Sequence, residues 1–258
     1  MRNVARILYV MGFAGAGKTT FVGNFSMYLE QRGYSVARVN LDPGVRTLPY
    51  NPDYDVRNVV TLEEIMDRES LGPNGGLLRS IEYIVDHIDV VTRNIWELGD
   101  SVDWILIDTT GQLELFAFRD LGEKMVQELG RMPSIGLFLF DATTISAPSG
   151  MVIAQLVAMA VQLKLSMDVV TVINKVDIAD DALKKYIFVL YNDPESFKQM
   201  LMKRDAGTLA GMSYDILDVI KEYYSPSRMI AISARAGDGF DDVFDIIHEI
   251  FCVCGDLT

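Results

Sequence analysis

The sequence predicts an α/β fold: a doubly wound, mainly parallel β-sheet flanked by helices. Six short apolar segments rich in β-branched residues recur along the chain, and each is nearly continuous in its hydrophobicity, as expected of strands covered on both faces. Helical patterns alternate with these segments, which is typical of a parallel sheet. The predicted strands are 6–11, 35–41, 103–108, 134–140, 168–174 and 228–233, and the predicted helices include 18–32, 112–130, 149–165 and 239–251.

Two connections between the predicted strands are long. The first, about residues 42–102, contains a capping-box pattern that begins at Thr61 and the breaker "GPNGG". Gly and Pro interrupt regular structure, so the simpler interpretation of this breaker is a turn between two helices. The second connection, about residues 178–227, has helical patterns and no strand-like run. We therefore expect one domain over 1–258 with two mostly helical insertions.

Composition and charge exclude several classes of function. The 258 residues carry a formal net charge of −13, which argues against direct binding to nucleic acid. The longest apolar stretch, 151–165, contains Lys164 and is too short to span a bilayer. The apolar N-terminal run leads directly into a glycine-rich loop where a signal peptide would need a cleavage site. We expect a cytoplasmic protein that does not enter membranes. Cys252 and Cys254 are interpreted as small hydrophobic residues.

The loop after the first predicted strand reads "GFAGAGKT" and fits the phosphate-binding pattern G-x-x-x-x-G-K-[ST]. The backbone N–H groups of such a loop surround phosphates, and the helix that follows adds the positive end of its dipole. We expect Lys18 to reach the β- and γ-phosphates and the Thr19 hydroxyl to bind Mg²⁺. The residues predicted here to bind nucleotide are Gly12, Gly15, Ala16, Gly17, Lys18, Thr19 and Thr20.

Two more strand ends supply candidate catalytic groups. The third predicted strand ends in "DTTGQ", where Asp108 can hold Mg²⁺, usually through water. Gly111 can donate its N–H to the γ-phosphate, and Gln112 can orient an attacking water. The second strand ends in "NLDPGV", where Asp42 either forms a turn or contacts the metal's water shell and the nucleophilic water. The polar, Pro-rich stretch after it is expected to be a mobile switch segment, with Arg46 as a candidate phosphate contact.

The fifth and sixth strand ends predict the base specificity. In "NKVD", the Asp177 carboxylate can accept hydrogen bonds from N1–H and the 2-amino group of guanine, which adenine lacks. The Asn174 side chain can form hydrogen bonds to the surrounding loops and to the edge of the base, and the aliphatic stem of Lys175 can cover the face of the base. In "SAR", the loop starting at Ser233 brings the Ala234 N–H towards the guanine O6. These motifs predict a GTP site at the carboxyl ends of the strands.

The chain resembles the GPN-loop GTPases, a family of P-loop GTPases that work as dimers. The resemblance covers essentially the whole chain and rests on "GFAGAGKT", "NLDPGV", "LPYNPDYDVR", "GPNGG", "DTTGQLELF", "NKVD" and "SAR" in this order. It implies a homodimer in which the Gly-Pro-Asn loop reaches the partner's site, where Asn74 replaces an arginine finger. The family usually has proline where Thr110 stands, so we expect a change in the order of this loop. In eukaryotes the family is tied to RNA polymerase II assembly, which implies client proteins.

The sequence leaves two functions open and argues against two others. The first is a Mg²⁺-dependent GTPase that hydrolyses GTP to GDP and acts as a switch. The second is a GTP-gated binding module or assembly chaperone with negligible turnover. A metal-delivery GTPase would need Cys or His ligands near the switch segments, and an ATPase of the same wider class is disfavoured by Asp177.

Overall fold

Within the described residues, seven parallel strands form one sheet, in the spatial order Tyr54–Asp55, Val36–Asn40, Trp104–Asp108, Arg6–Gly12, Ser134–Asp141, Val169–Asn174 and Met229–Ile232. The computed structural model describes residues 4–204, 208–223 and 229–255. The strands are β1 (Arg6–Gly12), β2 (Val36–Asn40), β3 (Tyr54–Asp55), β4 (Trp104–Asp108), β5 (Ser134–Asp141), β6 (Val169–Asn174) and β7 (Met229–Ile232).

Helices cover both faces of this sheet and enclose two apolar clusters. One cluster lies beneath α1 and α11 and contains Phe21, Phe25 and Phe240; the other lies on the opposite face around Phe116 and Phe138. The doubly wound fold expected from the sequence is therefore confirmed. The helices are α1 (Lys18–Gln31), α2 (Leu62–Glu69), α3 (Pro73–Asp86), α4 (Ile88–Gly99), α5 (Leu113–Ala117), α6 (Asp120–Glu128), α7 (Ser149–Leu165), α8 (Asp181–Asn192), α9 (Pro194–Arg204), α10 (Thr208–Tyr223) and α11 (Phe240–Gly255).

The predicted strands match six of the seven observed ones, except that residue 228 lies outside the described residues. The strand that the sequence analysis missed is β3, which pairs with β2 through Val39 and Tyr54 and through Asn40 and Asp55. It is two residues long and lies inside the polar, Pro-rich segment, so no hydrophobic pattern marks it. Part of the segment interpreted as a mobile switch is thus held at the edge of the sheet.

The predicted helix 112–130 is wrong as a single element, because the structure has two helices there. The chain leaves helical geometry at Arg119, whose backbone is extended (φ −111°, ψ −178°). Buried apolar residues continue through the break, among them Phe116 and Leu121, so their periodicity hides it.

The first insertion contains β3, α2, α3 and α4. Thr61 caps α2: its hydroxyl accepts the Glu64 N–H, and the Glu64 carboxylate accepts the Thr61 N–H, which confirms the predicted capping box. Gly72 is the N-cap of α3 and Pro73 its first residue, a position that proline favours. The interpretation of "GPNGG" as a turn is wrong for all of it but Gly72, because the turn is formed by residues 70–72 and Pro73 already begins α3. Asn74 therefore lies in the first turn of α3.

The described part of the second insertion is mostly helical. It contains α8, α9 and α10, and Lys198 of α9 forms an ion pair with Asp218 of α10. Phe197 and Leu201 are buried, so these two side chains pack into the molecule instead of lining an open groove.

Candidate active site

The site lies at the carboxyl edge of the sheet, where the strand order reverses around β1. β1 pairs with β4 on one side and with β5 on the other, and in open α/β sheets ligands bind at such a switch point. Gly12, Asp108 and Asn174 are the last residues of their strands. Parallel pairing therefore brings the sequence motifs to one edge.

Two glycines in the loop between β1 and α1 accept conformations and contacts that other residues would not. Gly12 has φ +151°, and a Cβ there would lie 2.4 Å from the carbonyl oxygen of Leu139. Gly17 has φ +95°, and a Cβ there would lie 2.4 Å from Asn174 Nδ2. The phosphate loop is therefore packed against β5 and the base-binding side of the site, which fixes its shape.

Lys18 is folded against the phosphate loop with only 5% of its surface exposed. Its Nζ donates hydrogen bonds to three backbone carbonyl oxygens, those of Gly12 at 3.0 Å, Phe13 at 3.1 Å and Gly111 at 3.2 Å. Burial lowers the pKa of Lys18, while the carboxylates of Asp108 and Asp42 oppose that shift. The buried cation is thus positioned between the phosphate loop and the loop after β4.

Asp108 is a buried carboxylate with one oxygen available to a metal ion. It is 2% exposed, and burial raises its pKa to about 6, against the effect of hydrogen bonds from Thr19 and Tyr50 and of the Lys18 charge. Its Oδ1 is buried and has no hydrogen-bond partner in the described parts of the chain. A carboxylate oxygen without a partner beside a threonine hydroxyl fits the hard oxygen ligands of Mg²⁺, so Thr19 and Asp108 are compatible with the predicted metal site.

Asp42 joins the end of β2 to the loop after β4. Its Oδ2 accepts the Gly111 N–H at 2.7 Å, and its Oδ1 accepts the Gly44 N–H at 2.8 Å. The second bond is a turn-forming contact, and the first uses the donor that the sequence analysis assigned to the γ-phosphate. Asp42 therefore fills the structural role left open from the sequence and lies beside the predicted phosphate site as well.

The loop carrying Gln112 is held by a contact that the sequence analysis did not expect. Thr110 is fully buried, and its hydroxyl donates to the Gln112 carbonyl at 2.9 Å. Gln112 is the N-cap of α5 and is exposed. A side-chain hydrogen bond thus restrains the loop at the position where the resemblance led us to expect a change in loop order.

The base side of the site is built around Asn174. Its Nδ2 donates to the Ala16 carbonyl at 2.8 Å, and its Oδ1 accepts the Ala234 N–H at 2.9 Å. The predicted link between loops is present, and the Ala234 N–H expected at the guanine O6 is donated to Asn174 in this structure. Asp177 lies in a short 3₁₀ helix, Val176–Ile178, and is exposed, so its carboxylate is accessible from solvent.

Three other residues predicted to bind nucleotide, Lys175, Ser233 and Thr20, differ in burial and in their contacts. Lys175 has a left-handed backbone (φ 68°), and its Nζ forms an ion pair with Asp141 Oδ2 at 2.6 Å. Ser233 is fully buried, and its hydroxyl accepts the Ala236 N–H at 3.1 Å, which shapes the loop after β7. Thr20, in the first turn of α1, is exposed.

Asn74 is exposed near the start of α3. The α2–α3 pair lies against the Asp42 turn: the Leu62 N–H donates to the Pro43 carbonyl at 3.0 Å, and a Cβ on Gly44 would lie 3.2 Å from Leu62. The Gly-Pro-Asn motif at the start of α3 therefore lies beside the Asp42 turn, and its asparagine is exposed.

Sequence reasoning missed three side chains that shape the site. Tyr50 donates its hydroxyl to Asp108 Oδ2 at 3.0 Å. Arg57 forms an ion pair with Asp55 and donates to the Val45 carbonyl at 3.0 Å, which holds the backbone just after the Asp42 turn. Asp141, the last residue of β5, binds Lys175. Its place at a strand end was the one signal that could have identified it.

A phosphate loop at the switch point of a doubly wound parallel sheet, with a buried aspartate at the end of the next strand, defines a P-loop nucleotide-binding protein. A family model described as "Conserved hypothetical ATP binding protein" matches residues 10–253. The chain is 35% identical over 252 residues to the GPN-loop GTPase PAB0955 of Pyrococcus abyssi, covering 98% of this chain and 100% of that protein. The chain belongs to the GPN-loop GTPases.

Further comparisons agree with this assignment. The crystal structure of PAB0955, a GTPase in apo form from Pyrococcus abyssi, matches with a TM-score of 0.86 and 33% identity over 96% of this chain and 98% of that one. GPN-loop GTPase 1 of Dictyostelium discoideum is 29% identical over 241 residues, which are 93% of this chain but 60% of that protein. In the described ranges, no helix is both long and apolar enough to cross a membrane.

Proposed function

We propose that this protein is a Mg²⁺-dependent GTPase that hydrolyses GTP to GDP and phosphate and acts as a homodimeric switch. The observation that carries the proposal is the convergence of Lys18, Asp108 and Gly111 at one edge of the sheet, with Asp177 exposed on the base side of the same edge. Membership of the GPN-loop GTPases supports hydrolysis of GTP.

The proposed chemistry is positioning and charge stabilisation, with water as the nucleophile. The Lys18 ammonium is already desolvated. When nucleotide binds, it gives up its hydrogen bonds to the backbone carbonyls and forms hydrogen bonds to the phosphates instead. Gln112 and Asp42 orient the attacking water from opposite loops, and the Gly111 N–H turns from Asp42 to the γ-phosphate. Thr19 and Asp108 would hold Mg²⁺, which when bound would supply positive charge against that of the phosphates.

The family description names ATP, whereas the named relatives are GTPases. The chemistry of Asp177 decides between the two nucleotides for this chain. Its exposed carboxylate accepts two hydrogen bonds from guanine, and with adenine it would lose water without gaining donors. We therefore propose GTP as the substrate.

The dimer, its clients and its location belong to the proposal as well. An exposed Asn74 on a rigid helix start suits a residue that acts on a partner's γ-phosphate, because its amide offers both a donor and an acceptor. Client proteins of the kind handled in RNA polymerase assembly follow from the family resemblance alone. A cytoplasmic location is included on the sequence pattern alone.

Single-turnover hydrolysis tests the enzymatic part against a GTP-gated binding module. GTP is loaded onto the wild-type protein and onto Gln112→Ala, and bound nucleotide is separated into GTP and GDP over time. We expect the wild type to convert GTP and Gln112→Ala to bind GTP equally but convert it about 100-fold more slowly, because the water loses its orientation. Equal binding with no conversion by the wild type would instead establish the module.

A further inference from the structure

A tyrosine from the segment between β2 and β3 reaches the carboxylate proposed to hold the metal. Tyr50 Oη donates a hydrogen bond to Asp108 Oδ2 at 3.0 Å across 58 residues of sequence. Asp108 Oδ1 is buried and has no hydrogen-bond partner in the described residues. The two oxygens of this carboxylate therefore differ: the hydroxyl fixes Oδ2, and Oδ1 is left to meet a ligand.

The tyrosine ring is held in place by the backbone around it. A Cβ on Gly23 of α1 would lie 3.5 Å from Tyr50 Cδ1, so the ring packs on helix backbone that carries no side chain. The ring also packs against the apolar cluster beneath α1.

The segment that carries Tyr50 is tied to β2 at both ends. At its start, the Asp42 N–H donates to Asn40 Oδ1 at 3.0 Å. At its end, the Asp53 N–H donates to the Arg38 carbonyl at 2.8 Å, and Asp53 Oδ2 accepts the Arg38 N–H at 2.7 Å. The hydroxyl is thus presented to Asp108 by a loop of fixed length that also contains Asp42.

From this geometry we propose that Tyr50 is a positioning residue for the metal site. Its hydroxyl holds the Asp108 carboxylate in the rotation that turns Oδ1 towards the metal or its water. Groups that hydrogen-bond a metal ligand typically change metal affinity or activity about 10- to 100-fold when they are removed. The inference rests on the proposed Mg²⁺-dependent function and adds a residue that links the segment beginning at Asp42 to the metal.

The experiment compares Tyr50→Phe with the wild type and with Tyr54→Phe as a matched control. The Tyr54 hydroxyl is buried on the same segment and has no hydrogen-bond partner in the described residues, so its removal breaks no hydrogen bond. For each protein, the affinity for a fluorescent GDP analogue is measured in EDTA and across a Mg²⁺ titration, and GTP turnover is measured across the same titration. Thermal melts check folding.

We expect Tyr50→Phe to raise the half-saturating Mg²⁺ concentration about tenfold or more in both assays, while GDP affinity in EDTA stays at the wild-type value. Tyr54→Phe should match the wild type throughout. If Tyr50→Phe melts lower, its GDP affinity in EDTA separates the two causes, because a lost fold would weaken this binding and a lost hydrogen bond to Asp108 would not. An unchanged or lower Mg²⁺ requirement in Tyr50→Phe would overturn the inference. A wild type indifferent to Mg²⁺ would instead overturn the proposed function.

Discussion

At the scale of single residues, the proposed specificity depends on Asp177. Its carboxylate is exposed on a short 3₁₀ helix after β6. Asn174, the last residue of β6, instead joins the phosphate loop to the loop after β7 through its side-chain amide. One residue of the motif thus builds the site and another is free for the base. A substitution at Asp177 should therefore change which base the site binds without unfolding the site.

Asp177→Asn should weaken GDP binding about 100-fold or more, because both hydrogen bonds to the carboxylate lose their ionic acceptor and one meets an N–H₂ group instead. The same variant should gain affinity for xanthosine diphosphate, whose 2-oxo group accepts from the new amide. Competition against a fluorescent GDP analogue measures both. Unchanged GDP affinity would exclude a base contact by Asp177, and the xanthosine nucleotide controls for folding.

Thr110 offers a second prediction at this scale. Thr110→Val keeps the shape of a fully buried side chain but removes the hydrogen bond to the Gln112 carbonyl. The observed conformation of the loop should therefore be about 0.5–1.5 kcal/mol less stable. We expect a lower kcat with unchanged GDP affinity, and Thr110→Ser should retain turnover. A valine variant with wild-type kcat would show that this bond does not hold the catalytic loop.

At the scale of elements, the start of α3 is the feature that positions Asn74. Gly76 allows α3 to approach α2 closely: a Cβ there would lie 2.5 Å from Met66 Cγ and 3.0 Å from Leu62 Cδ1. Gly75, one residue earlier, is exposed, and its nearest side-chain atoms would lie 3.7 Å from a Cβ. The two glycines therefore have different functions despite being adjacent.

Gly76→Ala should destabilise the protein by about 1–3 kcal/mol, since the α2–α3 contact must open. Gly75→Ala should stabilise it by about 0.5–1 kcal/mol, because alanine restricts the unfolded chain more than glycine does. Urea unfolding of both variants measures the difference. Equal stability of the two would contradict the close packing of these helices.

Comparing the expected elements and contacts with the observed ones shows which of them the sequence could predict. Contiguous motifs at strand ends, such as the loop from Gly12 to Thr19, were placed correctly because local pattern and strand position carry the information. Tyr50 meets Asp108 across 58 residues, and Asp42 meets Gly111 across 69. Such pairs depend on which strands become neighbours, and periodicity does not encode this. The short β3 was missed because pairing with β2 creates it.

At the scale of the whole molecule, the proposed dimer divides each site between two chains. Asn74 is exposed, whereas Lys18 and Asp108 are buried in their own chain. In a symmetric dimer the same surface serves both subunits. A chain that lacks one contribution should therefore be rescued by a chain that lacks the other.

Asn74→Ala and Lys18→Ala should each be nearly inactive alone, the first by about 10- to 100-fold through the lost contact to phosphate or water. Mixed in equal amounts and allowed to exchange, they should recover about a quarter of wild-type turnover, because half of the dimers are mixed and each has one complete site. Phosphate release before and after mixing measures this. No recovery would mean that Asn74 acts within its own chain or not at all.

Phosphate release from GTP and from ATP, measured with Mg²⁺ over a range of protein concentrations, tests the central claim most directly. The structure and the proposed dimer predict turnover of GTP well above that of ATP, with a specific activity that rises with protein concentration until the dimer is complete. Equal turnover of both nucleotides would contradict the role of Asp177. No release from bound GTP at any concentration would contradict the proposed hydrolysis itself.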